Sequence, residues 1–322
     1  MNAYSSRHDV PLIITAALAC AMAPAALACS SCGCTLSSNW GSQGAGTDSG
    51  SMFDLRFDYF NQDDLRSGRR SVDRGSLEVP NDTEIQQTTI NRNYTLNFDH
   101  AKGDWGVNVQ LPWYDRYHTT IAEGDTDRST SHSRSFGDAR VLGRYQGFSD
   151  DHSIGVQAGL KFATGPFHET FISGPQAGEP LDRGLQPGTG TTDLLLGAYN
   201  FGSLSRDWDC FAEALLQIPI ASREHFKPGA GINANAGLRY MSFEHVVPQV
   251  QLNLRSERRE SGASADVDNS GATLVYLSPG VTVHLSQDWR AYAFFQVPVY
   301  QRVNGLQIEP RYTVSLGVSL AL

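Results

Sequence analysis

Cys29, Cys32 and Cys34 place three thiols within six residues, in the stretch ACSSCGCTL, of a chain that has five cysteines in all. At CxxCxC spacing, three thiolates could hold a soft ion such as Cu(I) or Zn(II), with a histidine as fourth ligand. A c-type haem needs His directly after CxxC; Gly33 stands there, which excludes covalent haem. Two other chemistries compete for the same residues. One is a disulfide to the distant Cys210. The other is lipidation of Cys29, although Ala26 occupies the position where a lipobox usually has Leu. The compartment decides among them, and the residues upstream bear on the compartment.

Met1 to Val10 is polar with Arg7 as its cation, and Pro11 to Leu27 is almost wholly small or apolar, ending in Ala26-Leu27-Ala28. That is the form of an export signal cut after a small residue, and the apolar run, interrupted by Pro11 and Pro24, falls short of the ~20 residues a membrane helix needs. Residues 1–28 are therefore expected to be a signal peptide, 29–50 a short periplasmic Cys-rich segment, and 51–322 the folded body. An oxidising destination favours pairing among Cys29, Cys32, Cys34 and Cys210 over a metal site. Cys210 lies beside Trp208 at the start of a strand, where a bridge would staple the segment to the mouth of the body, although parity points it outward. No cofactor is expected, with Cu or Zn at the cluster as the alternative.

The elements that would position these residues alternate with period two. In SMFDLRFDYF, Phe53, Leu55, Phe57 and Tyr59 share one face and Asp54, Arg56 and Asp58 the other; WGVNVQLPW, SIGVQAGLKF, GINANAGLRY, VVPQVQLNLR and YTVSLGVSLAL repeat the pattern. About twelve such runs are found, near 51–60, 88–98, 105–117, 137–147, 153–163, 190–200, 208–220, 231–241, 246–256, 271–285, 289–302 and 310–322. Their connections alternate long (61–87, 118–136, 164–189, 257–270) and short (99–104, 148–152, 201–207, 286–288), with 221–230 and 303–309 moderate. Strands of about ten residues with this loop asymmetry predict an antiparallel transmembrane β-barrel of about twelve strands in the outer membrane of a Gram-negative bacterium. Exposing Arg239 to lipid would cost ~2–4 kcal/mol, so the apolar face is expected outside. Parity then points Arg56, Arg140, Arg144, Lys161, Glu213, Arg239, Arg255 and Arg290 into the lumen.

Three stretches, FGDARVLGRYQGF, GVQAGLKFATG and GLQPGTGTTDLLLGAYNF, resemble the porin-like family known as MetA-pathway of phenol degradation proteins. Gly137 with Asp138, Thr164 with Gly165, and Gly188, Gly190 and Asp193 stand at that family's motif places; Ala163 stands where it often has Pro. The resemblance covers roughly residues 136–200 and implies an outer-membrane channel or transporter.

No histidine falls on the lipid-facing wall, where a barrel lipase keeps its base: His118, His132, His168 and His225 are expected in outer loops and His100, His152, His245 and His284 at periplasmic ends. No Walker, GxGxxG or HExxH run occurs, so catalytic residues are not expected. A net charge of −9 without a basic stretch argues against nucleic acid. The expected function is a porin-like channel for small solutes. A metal-binding or redox scaffold built on the CxxCxC segment is the alternative, and a lipid-acting enzyme the least favoured. Expected partners are outer-membrane lipid, a small solute and a periplasmic protein at the N-terminal segment.

Overall fold

The structure is a computed structural model and describes residues 36, 37, 39–44 and 49–322. Among these no helix is long and apolar enough to cross a membrane. The chain is instead one closed antiparallel sheet. Its strands are β1 (Gly50–Gly68), β2 (Arg70–Ser71), β3 (Ile85–Lys102), β4 (Trp105–Ile121), β5 (Ser129–Phe136), β6 (Arg140–Tyr145), β7 (Ile154–Lys161), β8 (Asp193–Ser203), β9 (Trp208–Pro219), β10 (Gly231–Tyr240), β11 (Val246–Glu257), β12 (Ala272–His284) and β13 (Trp289–Ala321).

Eleven of these form the ring, which closes where β13 pairs with β1; β2 and β5 lie off it. The last strand doubles back on itself. Residues 290–303 pair with β12 and 303–321 with β1, and the amide of Ala321 returns to the carbonyl of Asp288 at 2.9 Å. The turn between the two halves uses Gly305 at φ +50°, a conformation that suits a residue without Cβ. β13 thus supplies two staves. The ring then has the even count that antiparallel pairing all the way round requires.

Burial is inverted relative to a soluble protein. Phe53, Leu55, Leu111, Leu216, Leu252 and Leu316 are exposed on the outer wall, while Asp54, Arg56, Asn91, Asn253 and Gln296 are buried inside. Buried polar and exposed apolar side chains together are what a lipid-facing barrel with a polar interior demands. Trp105, Trp208 and Trp289 each open a stave at the short-turn rim and are exposed there, in the place of an interfacial aromatic girdle.

Several strands outrun their sequence pattern. β1 continues to Gly68, β4 to Ile121, and 129–136, expected to be loop, is strand β5. β5 pairs with the upper part of β4 while β6 pairs with the lower part, so the two are one line interrupted at 137–139. The reason is chemical: STSHSRSF is polar on both faces, as suits a strand rising above the bilayer, and carries no alternation to read. His118 and His132 consequently lie in β4 and β5, not in loops.

Candidate functional site: a lumen closed from both ends

The lumen is lined by charges that hold one another. Arg56 Nε meets Asp58 Oδ2 at 2.8 Å, Lys161 Nζ sits 2.9 Å from Asp138 and 3.1 Å from Asp193, and Arg255 pairs with Glu257. Arg144 reaches both carboxylate oxygens of Asp99, at 2.6 and 2.8 Å. Such pairs carry most of their weight negatively: losing one member strands the other without water.

Residues 36, 37 and 39–44 run inside this wall. A 3-10 turn, Trp40–Gln43, is capped by Asn39, whose side chain accepts from the Ser42 amide, and is ended by Gly44 in the left-handed region at φ +72°. Asn39 Nδ2 donates to Gln157 Oε1 on β7 at 2.8 Å, Ser42 Oγ and Gln43 Nε2 both donate to Glu213 on β9, and Arg239 on β10 donates to the Gln43 carbonyl. On the opposite side Arg56 of β1 donates to the Leu36 carbonyl at 3.1 Å, and Trp40 packs edge-on against Tyr292 of β13 with ring centroids 4.7 Å apart. The segment therefore bridges the lumen from wall to wall. Of the segment 29–50, expected from the sequence to be periplasmic, residues 36, 37 and 39–44 lie against the inner wall of the barrel. A signal for this exists in the sequence: Trp40 is the lone aromatic between the apolar stretch ending at Leu27 and β1, with Gly41 and Gly44 around it to allow close approach.

The plug divides the interior. On one side lies a cavity of about 160 Å³ whose wall includes Leu36, Ser37 and Asn39 of the plug together with Arg56, Arg140, Arg255 and Glu213. On the other, toward the short-turn rim, a cavity of about 190 Å³ is lined by Trp40, Gly44, Asp209, Arg239 and Arg290. The eight residues read as lumen-facing thus fall into three groups: four around the first cavity, two around the second, and Arg144 with Lys161 locked in ion pairs outside both.

The opposite end is covered by the long connection 162–192. It has a small core of its own in Phe171, Leu181 and Leu185, and crosses the mouth: Arg116 of β4 donates to the Leu185 carbonyl at 2.8 Å, and Asp182 and Leu185 share a pocket with Gln62 of β1 and Ile308 of β13. The motif residues of 136–200 anchor this connection. Asp138 Oδ2 accepts from Lys161 Nζ and from the Thr189 amide, both at 2.9 Å, Asp138 Oδ1 accepts from the Gly165 amide at 3.1 Å, and Lys161 bridges on to Asp193. Gly137, Gly165 and Gly188 are stacked so closely that a Cβ on Gly165 would lie 2.8 Å from the Cα of Gly188 and 3.0 Å from that of Gly137. Only backbone fits there.

Acids gather at the same mouth. Glu84 lies just before β3, beside Asp182 and with Asp266 nearby, and burial, then the Asp182 charge, push its carboxyl up to about 8. The same burial and the Asp266 charge raise Asp182. His118 Nε2 approaches Glu84 at 4.0 Å. Sequence reading passed over this group because its members come from three separate loops.

Cys29, Cys32 and Cys34 lie outside the described residues, as do residues 1–28, expected to be a signal peptide. Cys210 is a free thiol. It is opposite the lipid-facing Leu238 and next to the inward, buried Phe211, so it lies on the outer wall while residues 36–44 are inside. The expected disulfide staple is not supported by this arrangement.

With this geometry, the chain is similar to the crystal structure of the COG4313 outer membrane channel from Pseudomonas putida F1, at a TM-score of 0.61 and 10% identity over 86% of this chain and 96% of that one. Looser likenesses are to the NanC porin (TM-score 0.44, 11% identity, 84% of this chain and 100% of that one) and the P. putida toluene transporter TodX (0.44, 10%, 85% and 90%). No family model matches the chain, and no curated protein matches it. The likeness is thus one of fold, to β-barrels of the outer-membrane channel type. The finer resemblance to MetA-pathway proteins rests on the 136–200 motifs alone.

Proposed function

We propose that the protein is an outer-membrane channel for small solutes, closed at rest by its own N-terminal segment from the periplasmic side and by connection 162–192 from outside. The observation that carries this reading is the partition: two cavities lie in line along the lumen, separated by the single 3-10 turn Trp40–Gln43. A scaffold barrel filled by its own side chains has no need of cavities divided by a removable segment. The walls are continuous strand; the plug is held by hydrogen bonds and by Trp40 packing on Tyr292 and Phe294, so moving it opens the periplasmic side of the path without disturbing the ring. Tight turns and both ends of the barrel chain fall at one rim, the arrangement that bacterial outer-membrane barrels have on the periplasmic side.

The test is conductance in planar bilayers of the intact protein and of a variant lacking residues 36–44, with folding of both verified by heat-modifiable gel mobility. The intact protein should give small or infrequent openings and the variant a severalfold larger current. An unchanged current in the correctly folded variant would refute closure by the segment, and no current at any voltage from a folded variant in which connection 162–192 is shortened as well would refute the channel reading.

A further inference from the structure

The cavity above the plug is asymmetric in charge. Arg56, Arg116, Arg140 and Arg255 contribute to its wall, against Asp58 and Glu213 alone. Both carboxylates are engaged elsewhere. Asp58 is held by Arg56 Nε and Ser315 Oγ, and Glu213 accepts from Ser42, Gln43 and Asn235.

Arg140 stands apart from the other three arginines. Its side-chain hydrogen bond among the described residues is from Nη2 to the neutral amide oxygen of Gln217, at 3.1 Å. The nearby Asp193 does not reach it as a direct ion pair: Gln217 is interposed, donating through Nε2 to Asp193 Oδ2 at 2.5 Å, while Asp193 also meets Lys161. The guanidinium thus keeps donors for a planar two-oxygen partner, which is the geometry of a carboxylate. A second observation concerns the same cavity. Asn93 Oδ1 is buried there with no hydrogen-bond partner among the described residues, which leaves an acceptor for a hydroxyl or an amide hydrogen. Leu36, Leu142 and Tyr114 supply an apolar side. At about 160 Å³ the space compares with the ~150 Å³ cavity that accepts a benzene ring, which limits the occupant to a molecule of that order.

We propose that this cavity is a binding site for a small organic monocarboxylate, with Arg140 taking the carboxylate, Asn93 a hydroxyl, and the apolar side the carbon body. The inference rests on the channel reading, since the occupant reaches the cavity through the lumen. It adds what that reading lacks, the chemical class of the solute. A uniformly negative interior would attract cations. Here the negative groups are turned away into the wall and into the plug, and Arg140 keeps its donors for the space.

Calorimetric titration of the folded, detergent-solubilised protein tests it, with lactate as the probe and neutral lactamide as control. Saturable binding of lactate, and none of lactamide, is expected. Arg140→Gln should weaken lactate by about ten-fold or more, the worth of a charge-assisted hydrogen bond, while Arg140→Lys, which keeps the charge but not the two-pronged geometry, recovers only part of it. Absence of saturable lactate binding, equal binding of lactamide, or an unchanged affinity in a folded Arg140→Gln protein would each overturn the proposal. If Arg140→Gln fails to fold, Asn93→Ala decides instead. It should weaken lactate relative to propionate, which lacks the hydroxyl, and an unchanged ratio counts against the site. The readout is independent of current: a conducting protein that ignores lactate sinks the anion site alone, and a lactate-binding protein that never conducts sinks the channel alone.

Discussion

Arg144 holds both carboxylate oxygens of Asp99 while its guanidinium lies against the backbone of Gly41, where a Cβ would come 2.6 Å from Nη1. The same guanidinium touches the backbone of β4 on its other side, since a Cβ on Gly106 would lie 2.6 Å from Nε. An arginine fixed by a bidentate pair cannot retreat from an intruding side chain. Gly41→Trp should therefore expel the plug and raise single-channel conductance severalfold, with unchanged heat-modifiable mobility. An unaltered current in the folded variant would show that plug docking does not set the conductance.

Lys161 is buried between Asp138 and Asp193, and Asp138 also receives the amides of Gly165 and Thr189. Lys161→Met leaves two carboxylates facing each other without a cation. Breaking such a pair costs about 3–5 kcal/mol. The loss should appear as a lower urea midpoint for unfolding from lipid vesicles and as faster protease cutting within 162–192. The double change Lys161→Met with Asp138→Asn should recover part of it.

The Glu84 carboxyl is raised to about 8 by burial and by Asp182, against an ordinary value of 4.5. Its proton is bound more tightly in the folded mouth than in the unfolded chain. The stabilisation is thus fully present below about pH 4.5 and is lost as pH rises through about 8. Above that, Glu84, Asp182 and Asp266 repel one another from three connections. Hydrogen exchange in 69–84 and 162–192, corrected for intrinsic rates, should be faster at pH 9 than at pH 6, and Glu84→Gln should flatten the difference. Equal protection at both pH values would contradict the assignment.

Leu252 lies mid-strand on β11 and is 51% exposed, whereas its neighbours Gln251 and Asn253 are buried in the lumen. Leu252→Arg puts a cation against acyl chains, at about 2–4 kcal/mol near the midplane. Urea titration of folding into vesicles measures the loss, and the same variant in detergent micelles, where lipid thickness imposes no depth, should lose less. Equal losses in the two would place Leu252 away from the bilayer centre.

The barrel was legible because alternation survives wherever one face meets lipid and the other water: Phe53 to Tyr59 and Val250 to Leu254 show it plainly. It faded where both faces are wet, which is why β5 and the upper parts of β1 and β4 read as loop. Parity bears on the facing of Arg56 or Glu213 but carries nothing about their partners, because pairing depends on register and on a plug that has no periodicity. Asp138 and Asp193 were noted as motif residues, yet that both would converge on Lys161 followed only from the strand order β6, β7, β8.

The first and last staves meet at one seam, β1 against β13, and the plug touches both sides of it: Leu36 on Arg56 of β1, and Trp40 on Tyr292 and Phe294 of β13. The contacts with β13 join residues more than two hundred positions apart in sequence, whereas Leu36 and Arg56 are only 20 apart. The docking surface for residues 36, 37 and 39–44 is therefore complete only when the chain's two ends have zipped together. The segment finds its full set of partners only then. It is a late arrival that reports completion, and an assembly stalled before the final hairpin inserts would leave residues 36–44 undocked.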